Sequence, residues 1–146
     1  MTTIAYKDGV IATDGQLTCG DVVDGLEEIK MVESQGKFFF YSGSTAYIDE
    51  FVQAYPDGEV TKDSFTAAFV IDEGILWRAV EDNGAIVRWK NGNRPWAFGS
   101  GYQFALGAMK YGASAIDAIL VSSELDTGTG GTPRSYDALT GEELCL

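Results

Sequence analysis

Apolar and polar positions alternate first in two short runs, Thr2-Thr3-Ile4-Ala5-Tyr6 and Val10-Ile11-Ala12-Thr13, separated by Lys7-Asp8-Gly9. An Asp-Gly pair between two such runs is a strong hairpin signal, so two antiparallel strands are expected. With the turn centred on Asp8 and Gly9, cross-strand partners sum to about 17, which sets Thr3 opposite Asp14 and Thr2 opposite Gly15. A Gly-containing loop through Cys19, Gly20 and Gly25 follows, then two short strands at residues 28–32 and 37–42, apolar enough for a sheet interior. Ser44 fits the N-cap of a helix of about three turns, in which Tyr47, Ile48, Phe51, Val52 and Tyr55 recur at helical spacing before Pro56 ends it.

Residues 65–90 return to strand periodicity, punctuated by Glu73-Gly74 and Asn83-Gly84, as in a hairpin-linked meander. Trp96-Ala97-Phe98 leads into Gly99-Ser100-Gly101 and two helices, 102–111 closed by Gly112 and 114–124 with Asp117 at its third position. After a loop over 126–131, closing strands are expected at 134–138 and 142–146. This order of elements implies an α+β fold with two sheets face to face and helices outside, a four-layer α/β/β/α sandwich.

Composition narrows the function. At 146 residues the chain is expected to be one domain, 1–146, and 45% hydrophobic content is too apolar for a disordered acidic tail. The formal charge of −12, from 10 Lys+Arg against 22 Asp+Glu, argues against a nucleic-acid partner, since phosphate binding runs on Lys and Arg. No run approaches the ~18 apolar residues of a membrane span, and Met1-Thr2-Thr3 begins neither a basic segment nor a signal core. Cys19 and Cys145 are too few for a disulfide framework or a metal cluster. A cytoplasmic protein with no membrane association, metal or cofactor is therefore expected. Histidine is absent, which removes the usual general base of Ser and Cys triads, so any catalytic base must come from elsewhere.

Removal of Met1 before a small residue would leave Thr2 with a free α-amine and a hydroxyl on one residue. The amine, with a pKa near ~7.7–8, is partly neutral at cellular pH and can take the hydroxyl proton directly or through water. Met-Thr is also a common way for a protein to begin, so the neighbours decide. If the Lys30 strand lies beside the first hairpin, Asp14 can hold its ammonium at the nucleophile, where positive charge favours a neutral amine and a developing alkoxide. Without that context Lys30 and Asp14 read as surface charges. Gly99-Ser100-Gly101 sits at a strand-to-helix junction but is not a dinucleotide fingerprint, because Phe104 occupies the sixth position. The glycines at 128, 130 and 131 lack the Lys-Ser/Thr ending of a phosphate-binding loop, and taken alone both segments are turn chemistry.

Taken together these segments resemble the proteasome β-subunit and HslV-type N-terminal nucleophile (Ntn) hydrolase family. Thr2-Thr3-Ile4 followed by Ile11-Ala12-Thr13-Asp14-Gly15-Gln16 is similar to the family's opening hairpin, above all its HslV type, and Lys30 is in register with its active-site lysine. Ser42-Gly43-Ser44-Thr45-Ala46 resembles the entry to the first helix, Phe98-Gly99-Ser100-Gly101 the Gly-Ser-Gly element, and 126–131 the Asp-x-x-Ser/Thr-Gly-Gly loop with Thr129 in the hydroxyl position.

The resemblance implies a threonine endopeptidase in which Thr2 is nucleophile and base, Lys30 tunes protonation, Asp14 anchors Lys30, and Ser100, Asp126 and Thr129 orient the amine and its water. It implies an oxyanion donor among the backbone N–H groups near Phe40, and a strand slot formed with Thr18, with Phe38 and Phe40 bordering the substrate. It further implies homo-oligomeric rings, single or stacked, an unfolded polypeptide or peptide substrate, and a separate ATP-dependent unfoldase. The chain reads as a shortened member with a reduced helix layer, since the stretch between Tyr55 and Phe65 has room for a loop but not for a second helix. Two other readings stand beside this one: a catalytically inactive Ntn-fold scaffold or shell, and an acidic inhibitor or nucleic-acid mimic that uses the charge to occupy a basic surface.

Overall fold

The computed structural model describes residues 2–59 and 66–144. β1 (Thr3–Lys7) and β2 (Val10–Thr13) form the expected hairpin with Ile4 opposite Thr13, and the Asp14 N–H donates to the Thr3 carbonyl at 3.2 Å, so Asp14 does return to the start of the chain. β3 (Leu17–Cys19) and β4 (Val22–Gly25) make a two-stranded hairpin where a loop was expected. Strands of three and four residues, with a register shift between Leu17 and Thr18, carry too little periodicity to be read from sequence.

β5 (Met31–Ser34) begins later than the 28–32 stretch implied, because the Glu28 N–H is tied to the Gly15 carbonyl at 2.9 Å and the chain joins the sheet only at Lys30, whose carbonyl accepts from the Tyr41 N–H. β6 (Lys37–Ser42) falls where expected. The Ser44 hydroxyl caps one 3₁₀ turn, Thr45–Tyr47, which continues into α1 (Ile48–Ala54). β7 (Ala67–Asp72), β8 (Ile75–Asp82) and β9 (Ala85–Lys90) form the meander, and both residues of each connecting pair, Glu73-Gly74 and Asn83-Gly84, have positive φ as a two-residue hairpin turn requires. β10 (Trp96–Gly99), α2 (Tyr102–Lys110), α3 (Ala115–Leu125), β11 (Arg134–Asp137) and β12 (Glu143–Leu144) complete the chain, with Ser114 accepting from the Asp117 N–H at the start of α3. The last two residues of the expected 142–146 strand, Cys145 included, and the end of the expected 55–65 loop lie outside the described residues.

The strands form two five-stranded antiparallel sheets, ordered β10-β1-β2-β11-β12 and β5-β6-β7-β8-β9, with β3-β4 separate. Alternation along each strand sorts side chains to two faces. Ile4, Tyr6, Ile11 and Tyr136 from the first sheet meet Phe40, Phe69 and Ile71 from the second in one core, with the Phe40 and Tyr136 rings 4.9 Å apart. On the other face of the first sheet, Ala5, Ala12 and Ala97 present small side chains to Ala105 and Met109 of α2 and Ala115, Ala118 and Ile119 of α3. On the other face of the second, Phe39, Tyr41 and Val70 pack on Ile48, Phe51 and Val52 of α1 and on Tyr55. Among the described residues, no helix is long and apolar enough to cross a membrane.

Candidate active site

The β1–β2 register places Asp14 under the start of the chain, and the Lys30 side chain reaches it from the segment entering β5. The two form a salt bridge at 2.6 Å with side chains 0% and 2% exposed, and Lys30 Nζ also donates to the Gln16 carbonyl at 2.6 Å. Asp14 accepts further from the Thr3 N–H at 3.3 Å and the Gly130 N–H at 3.1 Å, so one carboxylate joins the first strand, the lysine segment and the 126–131 loop. Burial is the largest influence on both groups, pushing the Asp14 carboxyl up and the Lys30 ammonium down from their ordinary values, while each partner's charge opposes the other's shift. The paired lysine is thus easier to deprotonate than a surface lysine.

A second network runs through the Gly-Ser-Gly element. Ser100 Oγ donates to Asp126 Oδ2 at 2.5 Å, and Thr129 Oγ1 donates to the same oxygen at 2.6 Å. Burial raises the Asp126 carboxyl, but the hydrogen bonds from Ser100 and Thr129 outweigh it and hold the group below the ordinary carboxylate range. Thr129 Oγ1 lies 2.7 Å from Thr3 Oγ1, which accepts from the Gly101 N–H at 3.1 Å. Thr3 was not among the sequence candidates. Nothing in its residue type separates it from other threonines, and only the strand register turns its hydroxyl toward the loop.

Gly99 fixes the junction between these networks and Thr2. Its φ is +104°, and a Cβ there would lie 1.7 Å from the Thr2 carbonyl oxygen. The same close approach lets the Ser100 N–H donate to that carbonyl at 2.8 Å, pinning Thr2 against the start of α2.

Thr2, Lys30 and Ser100 border one cleft of about 740 Å³, together with Gln16, Leu17 and Thr18 on one side and Tyr41, Ser42 and Gly43 on another. Trp96, Phe98 and Tyr102 give the cleft an aromatic wall. Burial and nearby Glu28 push the Tyr41 hydroxyl up to about 12. Asp14, Asp126 and Thr129 stand behind this lining as its supports. Phe38 and Phe40 do not border the cleft: their parity on β6 turns them into the inter-sheet core, where Phe40 is fully buried. The cleft opens beyond them, at the end of β6, so the backbone that reaches it is Ser42-Gly43, where Gly43 bends the chain with φ +125°. Phe40, near which the resemblance puts the oxyanion donor, is thus away from the cleft, whereas Gly43 of the helix-entry motif borders it.

No family model matches the chain, and no curated protein matches it. Solved structures do. Thiobacillus denitrificans BPH in complex with epoxomicin aligns at TM-score 0.64 with 16% identity, over 92% of this chain and 96% of that one. BPH alone aligns at 0.64 with 15% identity over 92% and 95%, and HslV from Trypanosoma brucei at 0.63 with 15% identity over 92% and 96%. The chain has the fold of HslV. At this identity the likeness concerns the backbone path alone; at its cleft this chain places a hydroxyl-bearing residue, a buried lysine and a serine held by a carboxylate.

Proposed function

We propose that this chain is a threonine-type endopeptidase subunit that loses Met1, hydrolyses peptide bonds through Thr2, and assembles as a homo-oligomeric ring or stacked rings of the proteasome/HslV kind. The observation that carries this reading is that Thr2, Lys30 and Ser100 border the same cleft, the latter two each held by a carboxylate behind the lining. The stacking of α2 and α3, the first sheet, the second sheet and α1 supports a four-layer α/β/β/α sandwich in one domain, 1–146, with a reduced helix layer beside α1.

In the proposed reaction the Thr2 amine takes the proton of its own hydroxyl, directly or through a water, and Oγ1 attacks the scissile carbonyl carbon. The Lys30 charge favours the neutral amine and the developing alkoxide. In this reading a backbone N–H of the Ser42-Gly43 segment, which borders the cleft, donates to the tetrahedral oxygen. Collapse passes the proton to the leaving amine and leaves an ester on Thr2, which a water held by Ser100, Asp126 and Thr129 then hydrolyses. An extended peptide would add alongside the Leu17-Thr18 side of the cleft. The substrate is a peptide or unfolded polypeptide in the cytoplasm, delivered by a separate ATP-dependent unfoldase where it is folded.

Epoxomicin, present in the BPH structure, is the test reagent. Intact mass should show loss of Met1 and one epoxomicin adduct per chain, mapped to Thr2, and Thr2→Ala should take no label while keeping its assembly. Retention of Met1 in the native protein, or undiminished peptide cleavage by Thr2→Ala, would refute the proposal.

A further inference from the structure

The two sheets fill the space between them unevenly. On β6 and β7, Phe40 stands opposite Phe69, and both rings pack into the inter-sheet core. Two rungs further on, and therefore on the same face, the cross-strand pair is Ser42 and Ala67. Two phenyl rings give way to a hydroxymethyl and a methyl. The facing edge strand, β10, does not shrink to match: Phe98 and Trp96 both turn into the inter-sheet space, the Phe98 ring 4.9 Å from Phe69 and the Trp96 ring edge-on to Phe98 at 6.4 Å. Small side chains on one sheet against large ones on the other leave a recess, and Ser42, Ala67, Trp96 and Phe98 all border the cleft that also holds Thr2 and Lys30.

Trp96 is held in that wall by a residue that does not itself border the cleft. The Arg78 guanidinium on β8 lies over the Trp96 ring, 4.5 Å from its centroid. Arg78 Nε donates to Asn91 Oδ1 at 2.6 Å, and the fully buried Asn91 donates from Nδ2 to the Gly92 and Arg94 carbonyls at 2.8 and 3.1 Å, just ahead of β10. Arg78 is 6% exposed, and among the described residues no carboxylate pairs with it. A buried cation needs a substitute for its water, and here the ring face and the Asn91 oxygen supply it.

The charge of the lining says what the recess accepts. The chain has 22 Asp and Glu, yet none is among the described residues that border the cleft, and the charged side chain there, Lys30, is already engaged by Asp14 and the Gln16 carbonyl. A substrate lysine or arginine would lose its water and meet cations without a counter-ion, and an acidic side chain would compete with Asp14 for Lys30. A large apolar side chain pays neither cost and gains the full burial.

We propose that Trp96 and Phe98, across from Ser42 and Ala67, form the specificity pocket of the peptidase, which takes one large apolar side chain, aromatic or branched aliphatic, from a residue flanking the scissile bond. Arg78 is the positioning residue that holds the Trp96 wall. The inference rests on the peptidase reading and adds to it the class of residue at which the chain cuts. Successive side chains of an extended peptide point to opposite sides, so one enters the pocket while its neighbours stay outside.

Matched internally quenched peptides, differing only in having Leu, Phe, Ala, Lys or Glu on one or the other side of the scissile bond, test this, with the cut sites read by mass spectrometry. On one flank kcat/KM should favour Leu or Phe over Ala by about 10-fold or more, and over Lys and Glu by about 100-fold. Ala67→Leu fills the recess and should lower the Leu-to-Ala ratio about tenfold. Arg78→Met should lower the same ratio, because Trp96 is no longer held; an equal loss on both peptides would overturn the role given to Arg78, and if that variant does not fold, Trp96→Ala must lower the ratio in its place. Absence of preference on both flanks, preference for Lys or Glu, or an unchanged ratio in folded Ala67→Leu would overturn the pocket. Binding separates this inference from the reading beneath it: calorimetric titration of Thr2→Ala should show the Leu and Phe peptides bound about 10-fold or more tighter than the Lys and Glu peptides. A protein that epoxomicin does not label and that cuts no peptide, but keeps this order of binding, refutes only the peptidase reading. One that is labelled and cuts without the order refutes only the pocket.

Discussion

Asp14→Ala should be among the most damaging substitutions in this chain, and its cost can be worked from its contacts. Removing the carboxylate leaves the Lys30 ammonium, 2% exposed, with the Gln16 carbonyl but without its counter-ion. Breaking a buried pair in this way costs about 3–5 kcal/mol. The Thr3 and Gly130 N–H groups lose their acceptor as well, at roughly 1 kcal/mol or more each. The sum, about 5–7 kcal/mol, is comparable to the whole stability of a small domain. Lys30→Met removes the charge but leaves Asp14 its two backbone donors and the option of protonating, so about 3 kcal/mol is expected. In Asp14→Ala with Lys30→Met both charges are gone and mainly the two N–H groups remain unpaired, about 2–3 kcal/mol. The double variant should therefore be more stable than Asp14→Ala alone, with a coupling energy of several kcal/mol. Urea denaturation at one fixed protein concentration, with the m-value checked for constancy, measures this. If the single substitutions each cost under about 1 kcal/mol, or if their effects simply add, the pair is not the electrostatic centre described here.

Gly99→Ala should lose stability by about 3 kcal/mol or more and abolish epoxomicin labelling together, because a Cβ 1.7 Å from the Thr2 carbonyl oxygen forces the chain start away from Ser100; a variant that labels normally would contradict the close approach. Thr3→Val should cost about 1–3 kcal/mol by leaving the Gly101 N–H without its side-chain acceptor, and should slow labelling where Thr3→Ser does not, read by thermal melts and labelling rates. Asp126 has a folded-state pKa below its ordinary 3.8, so the stability it contributes is present above that value and is lost as pH falls below it; acid unfolding of Asp126→Asn should show a shallower loss in that window. Tyr41 is raised from 10.0 to about 12, so its contribution is complete below 10.0 and lost as pH rises toward 12; Tyr55 and Tyr136 are also raised by burial, so tyrosinate absorbance should show several late-titrating groups, one of which Tyr41→Phe removes.

What the sequence carried without help was local. The Asp8-Gly9, Glu73-Gly74 and Asn83-Gly84 turns, the capping serines 44 and 114, and the strand and helix periodicities all act over a few residues, and the elements they imply appear with small shifts at their ends. The pairing of Asp14 with the chain start followed from a two-residue turn, because register is fixed once the turn is. Lys30 and Asp14 were nameable, but the 2.6 Å bridge between them depends on how the Glu28 segment is tied to Gly15, which no local pattern encodes.

Tertiary structure decided the rest. Thr3 became part of the site because three segments more than twenty residues apart in sequence meet at its hydroxyl. Phe38 and Phe40 left it because β6 alternates and the inner face of that strand is claimed by the core against Tyr136, while Gly43, one residue past the ladder, borders the cleft. Residue type and spacing report what a segment can form. Which face of a strand looks into a cleft is set by the packing of whole sheets, where the deciding partners are far away in the chain.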